Sequence, residues 1–149
     1  MKILLKLIYQ MVLGFFATIG FAVYFYAPLN SIIATGFAGG LSWLVYYLVL
    51  NASNNKIVGT FLAAFLVGVF GEILAIKLKK PATVFITPGI VSLVPGAGMY
   101  YTMLYLVQND YSQAAIKGTE TLFLAAAIAV GIIVSTLLFK SLRHFKREN

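Results

Sequence analysis

Five apolar segments of membrane-spanning length follow one another along the chain, and short polar or proline-containing stretches separate them. They lie at about residues 4–27, 31–50, 57–76, 84–107 and 120–139. An α-helix rises about 1.5 Å per residue, so about 20 apolar residues cross the hydrocarbon core of a bilayer. All five segments reach that length. The pattern therefore predicts an all-α integral membrane protein, a bundle of five transmembrane helices.

The fourth segment, residues 84–107, differs from the others because it contains two Pro-Gly pairs, Pro88-Gly89 and Pro95-Gly96. Each proline lacks an N–H donor and clashes with the carbonyl four residues earlier, which leaves that carbonyl free. A free carbonyl inside lipid needs a protein or water partner, so the break is expected to face protein or a hydrated cavity. We therefore expect Pro-Gly breaks in the fourth helix, with residues 92–98 partly unwound and a second half-helix beginning near Met99.

Interrupted helices build the solute sites of many secondary transporters. The first amides of the second half-helix, from Met99, Tyr100 and Tyr101, would attract an anion such as a carboxylate. The alternative is that the prolines only kink a structural helix, whose hydroxyl groups bond back to its own backbone. The residues expected to line a solute path are Thr87, Pro88, Gly89, Ser92, Pro95, Gly96, Gly98, Tyr100 and Tyr101.

Glu72 is the one acidic residue placed inside a predicted span rather than at its end. A carboxylate at the centre of a membrane helix costs about 2.5 kcal/mol or more, so its presence calls for an explanation. Two interpretations stay open. The side chain could snorkel to the boundary and pair with a nearby lysine, or it could carry the proton of a proton-coupled carrier.

Composition excludes several classes of function. The chain is 61% hydrophobic and 10% charged, with a mean hydropathy of +0.94, which is typical of a membrane protein. It has no cysteine, and its single histidine, His144, lies in the basic tail at residues 140–149. We therefore expect that the protein has no metal site, no cofactor and no catalytic residues, and that it is not an enzyme. The basic residues behind the net charge of +7 lie at helix ends rather than on one face, so no nucleic-acid interface is expected.

The lysines and arginines predict an orientation. One side of the membrane would hold four of them and the other seven, and the richer side should be cytoplasmic. This places the N-terminus outside and the C-terminus inside. An odd number of spans with an outside N-terminus favours a second polypeptide as a partner. Asp110, Lys117 and Glu120 are expected as solvated charges in an outer loop at residues 108–119. The richer group is Lys77, Lys79, Lys80, Lys140, Arg143, Lys146 and Arg147, and the other is Lys2, Lys6, Lys56 and Lys117.

The run from Lys80 to Phe85, followed by Pro88-Gly89-Ile90, Leu93-Val94-Pro95-Gly96 and Tyr100, resembles the threonine/serine exporter family. It is most similar to the shorter C-terminal half of that family, which is often a separate small subunit. The resemblance implies a bacterial cytoplasmic-membrane protein that exports threonine and serine, or dicarboxylates such as succinate, with the proton gradient. It also implies a larger partner subunit, beside the surrounding membrane lipid. The alternative is a non-transporting accessory subunit that stabilises a separate carrier.

Overall fold

The computed structural model describes the backbone of residues 2–148 and the side chains of residues 4–141. Within that range the chain is helical, without strands. Helices α1, α2, α3 and α6 are each long and apolar enough to cross a bilayer, and α4 with α5 passes the same test as a bent pair. The all-α membrane fold is thus confirmed. The helices are α1 (Lys2–Tyr24), α2 (Leu29–Ser53), α3 (Lys56–Leu78), α4 (Thr83–Val91), α5 (Gly96–Val107) and α6 (Tyr111–Glu148).

Close contacts between small residues hold the long helices together, as repeated glycine and alanine four residues apart would suggest. A Cβ atom added at Gly40 of α2 would lie 2.9 Å from the Met11 carbonyl oxygen of α1. One added at Gly131 of α6 would lie 2.8 Å from the Phe61 carbonyl oxygen of α3. Gly68 of α3 lies directly against Ser135 of α6. The α1–α2 and α3–α6 pairs therefore pack backbone to backbone.

Helices α3 and α6 run in the same direction. The Lys56 Nζ atom at the start of α3 lies 2.6 Å from Glu120 Oε1 of α6, and further along the same pair Gly68 meets Ser135. We call the end of the bundle at this ion pair the Lys56 end. At the opposite end, the Lys80 end, the Lys80 ammonium donates to the Asn30 side-chain oxygen at the start of α2.

The bent pair α4–α5 returns the chain from the Lys80 end to the Lys56 end. Gly71 of α3 lies against Ile86, and Val67, one turn earlier in α3, lies against Gly89, so α4 is antiparallel to α3. Gly98, near the start of α5, lies against Thr121 of α6, close to Glu120. The pair therefore runs from one end of the bundle towards the other with a break between α4 and α5, which fits a single broken span.

The prediction of an outer loop at residues 108–119 is wrong for most of that range, because α6 begins at Tyr111. The Asp110 carboxylate accepts a hydrogen bond from the Gln113 N–H (3.1 Å) and so caps the start of the helix. Lys117 and Glu120 lie on α6 and form a salt bridge of 3.0 Å, rather than standing alone in a loop. Of the predicted basic tail, residues 142–149 have no described side chains, so that prediction lies outside the described residues.

Candidate functional site

The fourth span is interrupted, as the sequence predicts, but only at the second Pro-Gly pair. Helix α4 ends at Val91, α5 begins at Gly96, and the two axes differ by 52°. Pro95 occupies the N-cap of α5. Pro88, in contrast, lies buried inside α4, so the expectation of a break there is wrong. Helix α4 continues through Pro88 because α1, α2 and α3 pack around it and hold its backbone in place.

The second half-helix begins at Gly96, three residues before the expected Met99. The Met99 N–H donates to the Pro95 carbonyl oxygen (3.1 Å), so it does not point free into the break. The amides of Tyr100 and Tyr101 lie further inside the helix. The Val91 carbonyl, expected to be free, accepts a hydrogen bond from the Val94 N–H (3.2 Å). A tightened last turn of α4 therefore satisfies much of the backbone that Pro95 disrupts.

Two separate pockets lie along the seam where α1 packs beside α4, and we call this seam the α1–α4 groove. The first, of about 240 Å³, is at the Lys80 end and is lined by Thr87 and Pro88 together with residues 25–28. The second, of about 190 Å³, is next to the break, and we call it the break pocket. Its lining residues are Gln10, Leu13, Gly14, Ala17, Trp43 and Ser92. The groove thus has a mouth at one end of the bundle and an inner pocket at the break.

Gly20 lies on α1 between these two pockets, three residues after Ala17, and so shares its helix face. It is exposed, and no heavy atom lies within 4 Å of the position that a Cβ atom would take. The stretch of α1 that separates the mouth from the break pocket therefore carries no side chain at this position.

The remaining predicted site residues do not line either pocket. Gly89 is buried against Val67, and Gly98 lies against Thr121. Pro95 is partly buried at the break, and Gly96 is exposed with open space around it. Tyr100 and Tyr101 are exposed on α5, with their rings 5.4 Å apart edge to face. The structure thus brings Thr87, Pro88 and Ser92 to the α1–α4 groove and leaves the two tyrosines outside it.

The break pocket contains two polar side chains that the sequence prediction missed, Gln10 and Trp43. The Trp43 Nε1 atom donates to the Gln10 Oε1 atom at 2.9 Å, which joins α2 to α1. The Ser92 hydroxyl donates to the Gly89 carbonyl oxygen at 3.3 Å, within its own helix. One signal could have found the site: Gln10 is the only side-chain amide inside any of the five predicted spans.

The threonine hydroxyl groups of the helices differ in whether they already make a hydrogen bond. Thr102 of α5 and Thr121 of α6 each donate to the carbonyl four residues earlier, both at 2.7 Å. Thr87 makes no side-chain hydrogen bond to any other described residue, and it is exposed at the mouth of the groove. Its hydroxyl therefore has both its donor and its acceptor capacity available to a solute.

Glu72 is partly buried near the Lys80 end, in a further pocket of about 400 Å³ that Lys79 and Lys80 also line. Two ion pairs occur among the side chains of residues 4–141, and both involve Glu120 instead. In this structure Glu72 is therefore near lysines without forming a salt bridge to one of them. Its proposed role as a proton carrier stays a prediction.

Comparison with known proteins places these features in a family. A family model described as "Threonine/Serine exporter, ThrE" matches residues 10–138, which include every residue of the break pocket. A probable threonine/serine exporter of Mycobacterium tuberculosis is 29% identical over 120 residues, covering 80% of this chain and 23% of the relative. A threonine/serine exporter of Corynebacterium glutamicum is 26% identical over 141 residues, covering 94% of this chain and 28% of the relative.

An uncharacterized protein of Haemophilus influenzae is 26% identical over 144 residues, covering 91% of this chain and 48% of the relative. The chain thus spans from about a quarter to about half the length of these curated relatives. No solved structure matches it. Because the family model covers most of the chain, the conclusion is direct: this multi-pass membrane protein belongs to the threonine/serine exporter family.

Proposed function

We propose that this chain is the small membrane subunit of a secondary exporter and that its α1–α4 groove lines the solute path. The solutes are small carboxylate metabolites, either threonine and serine or dicarboxylates such as succinate. The observation that carries the proposal is the broken span, whose break adjoins a pocket on the same groove as a second pocket at the Lys80 end. Membership of an exporter family supports the same direction of transport.

The Lys80 end is the cytoplasmic end in this proposal. Lys77, Lys79 and Lys80 lie there, whereas Lys56 and Lys117 lie at the opposite end. An excess of lysine at the cytoplasmic face of the bacterial inner membrane follows the positive-inside rule. A solute would then enter the groove from the cytoplasm at Thr87 and reach the break pocket next.

A larger subunit would complete the path. Both pockets open onto the surface of this chain, and α5 has no buried residue, which supports a second polypeptide that closes the groove. The relatives extend well beyond the region that this chain matches, which supports a further membrane part. The coupling ion in this proposal is the proton, with Glu72 as its carrier.

The exposed surface of α5 also supports a second candidate function, a non-transporting accessory subunit that stabilises a separate carrier. The two functions differ at Ser92, which faces water and solute only in a transporting subunit. Because the chain has no native cysteine, Ser92→Cys can be labelled with a membrane-impermeant reagent. Protection of this cysteine by serine, threonine or succinate supports transport. A cysteine that is inert with and without solute supports the accessory role.

The break itself is tested by replacing Pro95-Gly96 with Ala-Leu. An alanine at position 95 regains an N–H donor and relieves the clash with the helix before it, so it favours a continuous helix. In cells that also express the larger subunit, we expect the variant to lose export of whichever of these solutes the parent exports, while the amount of inserted protein is unchanged. Leu106-Val107→Ala-Leu, a double change at the exposed end of α5, is the control and should export normally. Normal export by the Pro95-Gly96 variant would contradict the proposal.

A further inference from the structure

We propose that Gln10 binds the carboxylate of the solute in the break pocket and that Trp43 positions the Gln10 side chain. This inference rests on the proposed function and assigns one contact within it. It is carried by an interhelical hydrogen bond that fixes the direction of the Gln10 amide, and by the composition of the pocket that this amide lines.

The bond to Trp43 determines which way round the Gln10 amide lies. An indole N–H is a donor only, so its partner must be the amide oxygen, Oε1. The Nε2 atom is then turned away from Trp43 and makes no hydrogen bond to another described residue. Because no fully buried side-chain nitrogen or oxygen lacks a partner among these residues, Nε2 is accessible and can reach a ligand. Gln10 lines the break pocket, so the two N–H donors of its accessible amide are available to a ligand beside it.

The other residues of the break pocket offer no salt bridge, so a carboxylate bound there would be held by hydrogen bonds alone. The lining contains no charged side chain, and Ser92 already uses its hydroxyl proton on the Gly89 carbonyl. Gln10 is therefore the main side-chain donor that a carboxylate would meet. The pocket of about 190 Å³ has the volume of about six water molecules at ~30 Å³ each, enough for a small amino acid. It is open to the surface of this chain, where the larger subunit would close over it in the proposed assembly.

A purely structural role would make the Gln10–Trp43 bond a link between α1 and α2. The two helices already pack closely without it, since Gly39 lies against Thr18, and Gly14 and Gly40 allow further close contacts. Interhelical hydrogen bonds in membranes contribute little beyond such packing. The bond is better explained by the orientation that it gives to Gln10.

Trp43 is the only tryptophan in the chain, so its fluorescence reports directly on the break pocket. The test uses the full chain assembled in lipid nanodiscs with a tryptophan-free version of the larger subunit, titrated separately with L-serine, L-threonine and succinate. We expect a saturable change in Trp43 emission with at least one of them, and none with L-serinamide, which lacks the carboxylate. A response to serinamide equal to that of serine would overturn the inference, as would no response to any of the three.

Variants of Gln10 separate binding from structure. Gln10→Glu keeps an oxygen acceptor for Trp43 but replaces both N–H donors with a negative oxygen. We expect the apparent Kd for the responding solute to rise at least about tenfold, the usual weakening when a hydrogen bond to a charged group is lost. Ser42→Ala is the matched control: Ser42 precedes Trp43 but bonds to the Ala38 carbonyl in its own helix, so binding should not change. Parent-like affinity in Gln10→Glu would overturn the inference.

The positioning role of Trp43 is tested by export kinetics. Trp43→Phe keeps an aromatic ring but loses the N–H, so the half-saturation concentration should rise while the maximal rate stays near that of the parent. Because Trp43 acts through Gln10, adding Trp43→Phe to a Gln10→Leu variant should raise the half-saturation concentration no further. Parent-like half-saturation in the Gln10 variants, with export still lost in the Pro95-Gly96 variant, overturns this inference alone. Normal export by all these variants overturns the proposed function as well.

Discussion

At the residue scale, eleven of the thirteen glycines of this chain serve close contacts rather than turns, the exceptions being Gly20 and Gly96. None has a positive φ angle, whereas the residues that close α1, α2, α3 and α5 in the left-handed conformation are all larger. Those residues are Tyr26, Asn54, Lys79 and Asn109. Glycine is the usual residue at such helix ends because it adopts this conformation without steric cost. Here the need for close packing inside the membrane has placed the glycines within the helices instead.

The two Pro-Gly pairs show what sequence alone could not decide. Their local sequences are alike, yet Pro88 lies inside a continuous helix and Pro95 ends a break. The difference comes from tertiary packing: Gly89 is pressed against Val67, whereas Gly96 has open space around it. The sequence therefore predicted that the span is interrupted, but it could not say which proline interrupts it.

Gln10 was missed for a related reason. A single amide in an apolar segment gives no periodic pattern, and its significance depends on Trp43 of α2 and on Ser92, just after the end of α4. Thr87 and Ser92 were found because they belong to the same short motif as the prolines. The sequence thus identified the part of the site on α4, whereas the part on α1 and α2 required the fold.

Glu72→Gln tests proton coupling. The glutamine keeps the size of the side chain but can neither take up nor release a proton, so the variant should lose much of the dependence of export on the pH gradient. The measurement is the initial rate of serine or threonine export at several external pH values. Glu120→Gln is the matched control, because Glu120 is held by Lys56 and Lys117 at the other end of the bundle. A Glu72→Gln protein with the pH dependence of the parent would show that Glu72 carries no proton.

At the element scale, the start of α6 was the least predictable from sequence. Residues 111–119 are polar enough to resemble a loop, but a helix that emerges from a membrane can carry polar residues on every face. Asp110 caps this helix, and Glu120 ties it to the start of α3. Both interactions depend on partners that hydropathy does not detect. The cores of the spans, in contrast, were predictable because hydropathy and length are enough to define them.

The seam between α3 and α6 gives a stability prediction. Gly131→Ala would place a Cβ atom 2.8 Å from the Phe61 carbonyl oxygen and 3.0 Å from the Phe65 nitrogen, both backbone atoms that cannot move aside cheaply. We expect the variant to be destabilised by about 1–3 kcal/mol, the usual range for overpacking. The measurement is the thermal unfolding of purified protein in detergent.

Gly20→Ala is the control for that experiment, because it makes the same change in helix propensity with no atom within 4 Å of the new methyl group. It should unfold at or slightly above the temperature of the parent protein. Equal stability of the Gly131 and Gly20 variants would show that α3 and α6 do not pack as closely as described.

At the scale of the whole molecule, the number of membrane crossings depends on the bent pair. If α4–α5 crosses once, the loop after α5 lies on the same side as the loop between α2 and α3. Single cysteines at Ser53, Lys80 and Gln108 test this in a chain that has no other cysteine. We expect an impermeant maleimide to label Ser53→Cys and Gln108→Cys in intact cells, and Lys80→Cys only after permeabilisation.

Other outcomes of that labelling are equally informative. Labelling of Gln108→Cys together with Lys80→Cys, but not with Ser53→Cys, would mean that the bent pair re-enters on the side from which it came. Labelling of Lys80→Cys alone in intact cells would reverse the proposed orientation. The partner subunit that the sequence predicts is independent of this result and stays a prediction.

The tight joint between α3 and α6 also limits how the molecule can rearrange. Gly131 meets the α3 backbone there, and the Ser135 side chain lies directly against Gly68, so sliding one helix along the other would force direct collisions. Helix α5 is different: it has twelve residues, none of them buried, and a non-helical link at residues 92–95 joins it to α4. The least costly change of shape is therefore a movement of α5 at this link, which would break its contacts with Thr121 and Gly118 of α6 and leave the four long helices as a fixed frame.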